Sequence, residues 1–116
     1  MEKKVQIGML CEIYGNLLTK RQLSILNDYC NEDFSLTEIA ENNHITRQAV
    51  NDIVKKGESK LLEYEQKLGI MKKTLDQEKQ IQNILAEISK ITDNSSDKKV
   101  EKILNSVRKE LISLNA

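Results

Sequence analysis

Residues 35–54 read Ser35-Leu36-Thr37-Glu38-Ile39-Ala40-Glu41-Asn42-Asn43-His44-Ile45-Thr46-Arg47-Gln48-Ala49-Val50-Asn51-Asp52-Ile53-Val54, and their order decides the fold. Ser35 with Glu38 three residues on forms a capping box, in which hydroxyl and carboxylate each take one free backbone N–H. Leu36, Ile39 and Ala40 supply the inner face of a short helix. Asn42-Asn43-His44 is a tight turn, since Asn tolerates the left-handed backbone such turns need. Thr46 caps a further helix that enters through Arg47-Gln48-Ala49-Val50. Ala40 is small where the two helices cross, Ile45 plugs the corner, and Val50 and Ile53 turn inward. The unit is a helix-turn-helix.

This arrangement leaves Thr46, Arg47, Gln48, Asn51, Lys55 and Lys56 on the outer side of the second helix. The first residues of a recognition helix face base edges, where Arg pairs bidentately with guanine and Asn or Gln with adenine. Arg47, Gln48 and Asn51 are therefore candidate base contacts, with Lys55 and Lys56 as phosphate contacts. The same side chains could equally solvate the first turn of an ordinary helix. Residues 46–60 hold four basic and two acidic side chains, Lys60 among the former, whereas residues 1–69 hold nine basic and eleven acidic. A non-specific DNA binder presents a dominant basic face. That balance calls for two recognition helices acting together, or for weak binding.

Before this unit, Val5, Met9, Leu10, Ile13, Leu17 and Leu18 recur at helical spacing, and Gly15 is the expected left-handed stop. Thr19 with Gln22 is another capping box, opening a helix whose stripe reads Leu23, Leu26, Tyr29 and Cys30. Beyond the unit, Val50, Ile53 or Val54, Gly57, Leu61, Tyr64, Leu68, Met71 and Leu75 form a heptad seam interrupted at Gly69. Gly57 is either a weak point in that helix or a site of close approach by another helix. Ile81, Ile84, Ile88 and Ile91 resume the spacing out of phase. Asp93 to Ser96 reads as a loop, and Asp97 caps a last helix carrying Val100, Ile103, Val107, Leu111 and Leu114. The expected fold is all-α: a helix-turn-helix domain over residues 1–69, then a helical hairpin extension over 70–116 serving dimerisation or packing. The length of the Leu61–Leu75 stripe points to a homodimer.

Composition removes other classes. The chain of 116 residues has 18 Lys+Arg, 18 Asp+Glu, no Pro and 3% aromatic residues, which disfavours a base-stacking surface for single strands. No apolar run approaches the roughly 20 residues that span a bilayer. Met1-Glu2-Lys3-Lys4 leads into a segment containing Glu12, not a signal-peptide core. Cys11 and Cys30 with the lone His44 cannot make a four-ligand zinc site; they read as buried reduced thiols, and His44 as a turn residue. Gly8, Gly15, Gly57 and Gly69 are too scattered for a phosphate loop, and no nucleophile, base and orienting group assemble. The expectation is a cytoplasmic, non-enzymatic protein with no cofactor, metal, membrane or small-molecule substrate.

Leu17-Leu18-Thr19-Lys20-Arg21-Gln22, Asp33-Phe34-Ser35-Leu36-Thr37-Glu38-Ile39-Ala40-Glu41 and Thr46-Arg47-Gln48-Ala49-Val50-Asn51-Asp52 resemble region 4 of bacterial sigma factors. With Glu63-Tyr64-Glu65-Gln66-Lys67-Leu68-Gly69 added, the chain is similar over residues 5–75 to the small Gram-positive YlxM family. Cys30 stands where that family tends to carry an aromatic, and Gly57 where it carries a bulkier residue. The resemblance implies a sigma region-4-like helix-turn-helix with a helical extension, usually encoded beside the signal recognition particle GTPase. It implies a DNA-binding regulator, or alternatively an accessory protein that binds that GTPase or its RNA.

Overall fold

The computed structural model describes residues 1–94 and 96–115. Six α-helices occur among them: α1 (Lys3–Tyr14), α2 (Lys20–Cys30), α3 (Leu36–Asn43), α4 (Arg47–Leu68), α5 (Ile70–Asn94) and α6 (Lys98–Asn115), with a 3-10 turn over Gly15–Leu17 after α1. No strand is present among the described residues. The chain divides into two compact units, Met1–Met71 and Lys72–Ala116.

The caps form as their spacing predicts. The Thr19 hydroxyl accepts from the Gln22 N–H at 3.1 Å while the Gln22 side chain takes the Thr19 N–H. Ser35 and Glu38 do the same at the start of α3. Asp97 accepts from the Lys99 N–H at 2.9 Å and opens α6. Each box satisfies donors that a helix start leaves without intrahelical partners.

The inner faces differ in register from the sequence reading. In α1 the buried side chains are Ile7, Leu10, Cys11 and Tyr14, while Val5 and Leu17 are exposed. Gly15 is right-handed, at φ −56°, and carries the chain into the 3-10 turn instead of stopping it in the left-handed region. On α2 the buried pair is Ile25 and Leu26, with Leu23, Tyr29 and Cys30 only half-buried. The left-handed residue of the α3–α4 turn is His44, at φ 55°, not an Asn. The Asn43 side chain instead donates to the Ile39 carbonyl at 2.8 Å. The Ile45 N–H reaches back to the Ala40 carbonyl at 3.1 Å, the six-residue closure that ends a helix on a left-handed residue.

The heptad seam is not one helix. Gly69, at φ 64°, ends α4 and α5 starts at Ile70. Leu61 lies in the interior of the first unit at 0% exposure, with Val50 and Val54 on the same line, whereas Leu68 is 53% exposed. Leu61 is thus committed to the protein's own core, and the Leu61–Leu68–Met71 seam is not a face open to a second chain. The junction is held by side chains of α1 and α4. The Tyr14 hydroxyl donates to Glu65 Oε1 at 2.8 Å and accepts from the Ile70 N–H at 3.2 Å. The same carboxylate oxygen accepts from the Met71 N–H at 2.9 Å. Two side chains from α1 and α4 therefore cap α5. Tyr14 also meets Tyr64 with ring centroids 5.9 Å apart.

In the second unit Ile81 and Ile88 are buried. On α6 the less exposed positions are Val100, Leu104, Arg108 and Leu111. Ile103, Val107 and Leu114 of the anticipated stripe face out. Of the anticipated Asp93–Ser96 loop, Asp93 and Asn94 belong to α5, and Ser95 lies outside the described residues.

Gly57 settles as a close approach. A Cβ there would stand 2.5 Å from Leu26 Cδ1 and 3.2 Å from Leu26 Cγ, and Leu26 is itself fully buried. Overpacking costs about 1–3 kcal/mol, against a gain of about 1 kcal/mol in helix propensity. Gly57→Ala should therefore lower stability by up to about 2 kcal/mol in urea denaturation. The loss should shrink or reverse when Leu26→Ala provides the space.

A second prediction concerns alkaline pH. Burial, aided by Cys30 and Glu12, pushes the Cys11 thiol from the ordinary value of 9.0 up to about 11. The folded protein thus holds this proton more tightly than the unfolded chain. Its contribution is complete below pH 9 and disappears as pH rises through 11. The loss amounts to about 2–3 kcal/mol. Burial, with donation to Glu65, raises Tyr14 in the same direction. Unfolding midpoints between pH 8 and 11 should fall, and Cys11→Ala should flatten part of that slope.

Candidate nucleic-acid interface

α4 begins at a cap with a defined partner: the Thr46 hydroxyl accepts from the Ala49 N–H at 3.0 Å. Its inner line of Val50, Val54, Gly57 and Leu61 is buried, against α1, α2 and α3. By helical periodicity the outer line is then Gln48, Asn51, Asp52, Lys55, Lys56 and Ser59. Thr46, Arg47, Gln48, Lys55 and Lys56 are exposed and Asn51 is half-buried.

These side chains gather into two places. Arg47, Gln48 and Asn51 line a shallow groove with Leu36, where the start of α3 lies beside the start of α4. Lys55 and Lys56 line a second groove with Ser59, Lys60 and Gln22 of α2. Gln22 and Ser59 are additions that the sequence reading missed, since nothing local to α4 announces that the start of α2 lies beside it. Arg47 and Lys56 are nine positions apart, roughly 14 Å along the axis, comparable with the ~12 Å width of the DNA major groove.

Gln48 is not a free reader. Its amide Nε2 donates to Asp52 Oδ1 at 3.1 Å, so its amide nitrogen is already engaged by a carboxylate on the same outer face. Arg47 has no ion-pair partner among the described residues. The positive end of the α4 dipole lies at the same place and favours an anion there.

Among the described residues no group of three or more His, Cys, Asp or Glu side chains could hold a metal ion. No helix among them is long and apolar enough to cross a membrane. Cys11 and Cys30 are free thiols, the first buried and the second half-buried.

A family model described as "helix-turn-helix protein, YlxM / p13 like", UPF0122, matches residues 1–111. A UPF0122 protein of Clostridium botulinum is 44% identical over 88 residues, covering 76% of this chain and 81% of that protein. One from Acetivibrio thermocellus is 41% identical over 111 residues, covering 96% of this chain and 95% of its own. One from Clostridium perfringens is 35% identical over 113 residues, with 97% and 99% covered.

The cap at Thr46 has a measurable part in presenting this face. Thr46→Ala should cost about 1 kcal/mol of stability and speed hydrogen exchange at the Ala49 amide. Thr46→Ser, which keeps the accepting hydroxyl, should restore most of both.

Proposed function

The chain belongs to the UPF0122, YlxM / p13-like family of helix-turn-helix proteins, and from that membership we propose that it is a DNA-binding regulatory protein, not an enzyme, that docks α4 in the major groove. The observation that carries this reading is the division of the outer α4 face into two grooves. One holds Arg47, Gln48 and Asn51, the residue types that pair with base edges. The other holds Lys55, Lys56 and Lys60, which suit a phosphate backbone as point charges. The narrow, deep major groove of duplex RNA does not admit side chains in this way, which favours DNA. One α4 supplies few cations, so a homodimer presenting two copies of the face is part of the reading.

The acidic surplus of residues 1–69 favours a second reading, an accessory protein that binds the signal recognition particle GTPase or its RNA through the same helices. A nuclease-treated pull-down from cytoplasm separates the two by what remains bound.

For the first reading, Arg47→Ala should cost about 1–3 kcal/mol on a preferred sequence and relax specificity at one position. Lys56→Ala should weaken binding to all sequences alike and reduce the salt slope by about one. Selection from random DNA at low salt, followed by titration of both variants, makes the comparison. No enriched sequence and no effect of either substitution would sink the DNA reading.

A further inference from the structure

We propose that one side of the α5–α6 hairpin is a self-association surface, closed by a second copy of this chain into a four-helix bundle. Arg108 Nη2 donates to Ser89 Oγ at 3.1 Å and ties the two helices of the hairpin together. Inside the hairpin are Ile81 and Ile88 of α5, with Val100, Leu104, Arg108 and Leu111 the less exposed line of α6. Ile84 and Ile91 lie to one side of the α5 line, and Ile103, Val107 and Leu114 lie to one side of the α6 line. At about 100° per residue, the α5 set is offset by roughly 60° and the α6 set by roughly 75°, in the same sense viewed from each helix's own N-terminus. Because the helices run antiparallel, equal senses place both sets on the same side of the hairpin.

That side is in water. Ile84 is 42% exposed, Ile91 50%, Ile103 64%, Val107 39% and Leu114 65%. Together they leave roughly 450 Å² of apolar surface uncovered, as large as the main patch of a typical monomer and a mark of an interaction site. Two observations favour a second copy as the occupant. A two-helix hairpin is half of a four-helix bundle, the usual way such faces close. A two-fold axis across this face lays the patch on its own copy, as an isologous interface requires. The area suffices as well, since two patches and a polar rim reach the ~1,200 Å² at which specific interfaces begin. Gln77 and Gln80 extend the α5 side of that rim without charge.

The surface goes beyond the DNA reading and does not depend on it, because association is measured without nucleic acid. In sedimentation equilibrium the full chain should form dimers in the micromolar range. Ile84→Glu and Ile103→Glu should each weaken the dimer at least about a hundredfold, since each buries two unpaired charges per dimer. Leu62→Glu, on an exposed apolar residue of α4, should leave it unchanged. All three positions are exposed, and circular dichroism should show the variants as helical as the parent; Val107→Gln is a milder change should either Glu variant lose helix. A wild-type chain that stays monomeric at about 100 µM would overturn the proposal. So would dimers that tolerate both Glu variants, or that Leu62→Glu dissolves as strongly as Ile84→Glu.

Discussion

Leu26 against the bare backbone of Gly57 is the contact on which the geometry of the first unit depends. α4 carries most of the candidate site residues, and its outer face is defined by whatever covers its inner one. At Gly57 there is no side chain between the axis of α4 and the fully buried Leu26 of α2, so the two helices approach more closely than a Cβ would allow. That proximity places Gln22, at the start of α2, beside Ser59 and Lys60. A groove lined from two helices follows from one missing methyl group.

The same helix is held at both ends by hydrogen bonds with distinct purposes. Thr46 fixes its first turn. Near its last turn Glu65 reaches forward to the Met71 N–H while Tyr14 reaches across from α1. Capping α5 from α1 and α4 satisfies donors at a helix start that has no local capping residue, because Gly69 precedes it. A helix secured at its cap, its middle and its end keeps the side chains of its outer face in fixed relation, as a preorganised site would require.

The sequence disclosed these features unevenly, for physical reasons. The caps at Thr19, Ser35 and Thr46 were legible because each hydrogen bond closes over three residues and needs nothing from elsewhere in the chain. The inner face of α1 was not. Its apolar residues support two interleaved registers, and only the packing partners choose Ile7, Leu10, Cys11 and Tyr14 over Val5 and Ile13. The break at Gly69 was half-visible: the glycine marks an interruption although apolar spacing resumes in phase at Met71 and Leu75, while the Tyr14 hydroxyl that stabilises the new helix start lies 56 positions from Ile70. The outward set from Thr46 to Lys56 could be read by subtraction from the inner line. The engagement of Gln48 by Asp52 could not, because an i,i+4 pair is a possibility on any helix and becomes specific only when the rotamers are known.

Net charge proves the least informative quantity of all, and the reason lies in where the acidic residues are placed. Glu58 stands 3.5 Å from Lys3, Asp33 3.6 Å from Lys4, and Glu63 3.0 Å from Lys67. Glu38 closes a capping box and Glu65 caps α5. Much of the acidic surplus of residues 1–69 is therefore occupied in holding α1, α3 and the end of α4, away from the first half of α4. There Asp52 is the acid on the outer line, facing Lys55, Lys56 and Lys60 on the same helix. Exposed charges beyond a screening length of ~10 Å contribute little to a local potential at moderate salt. What a phosphate would meet is thus set by the residues bordering the two grooves, and at that scale the face is basic even though the unit is not.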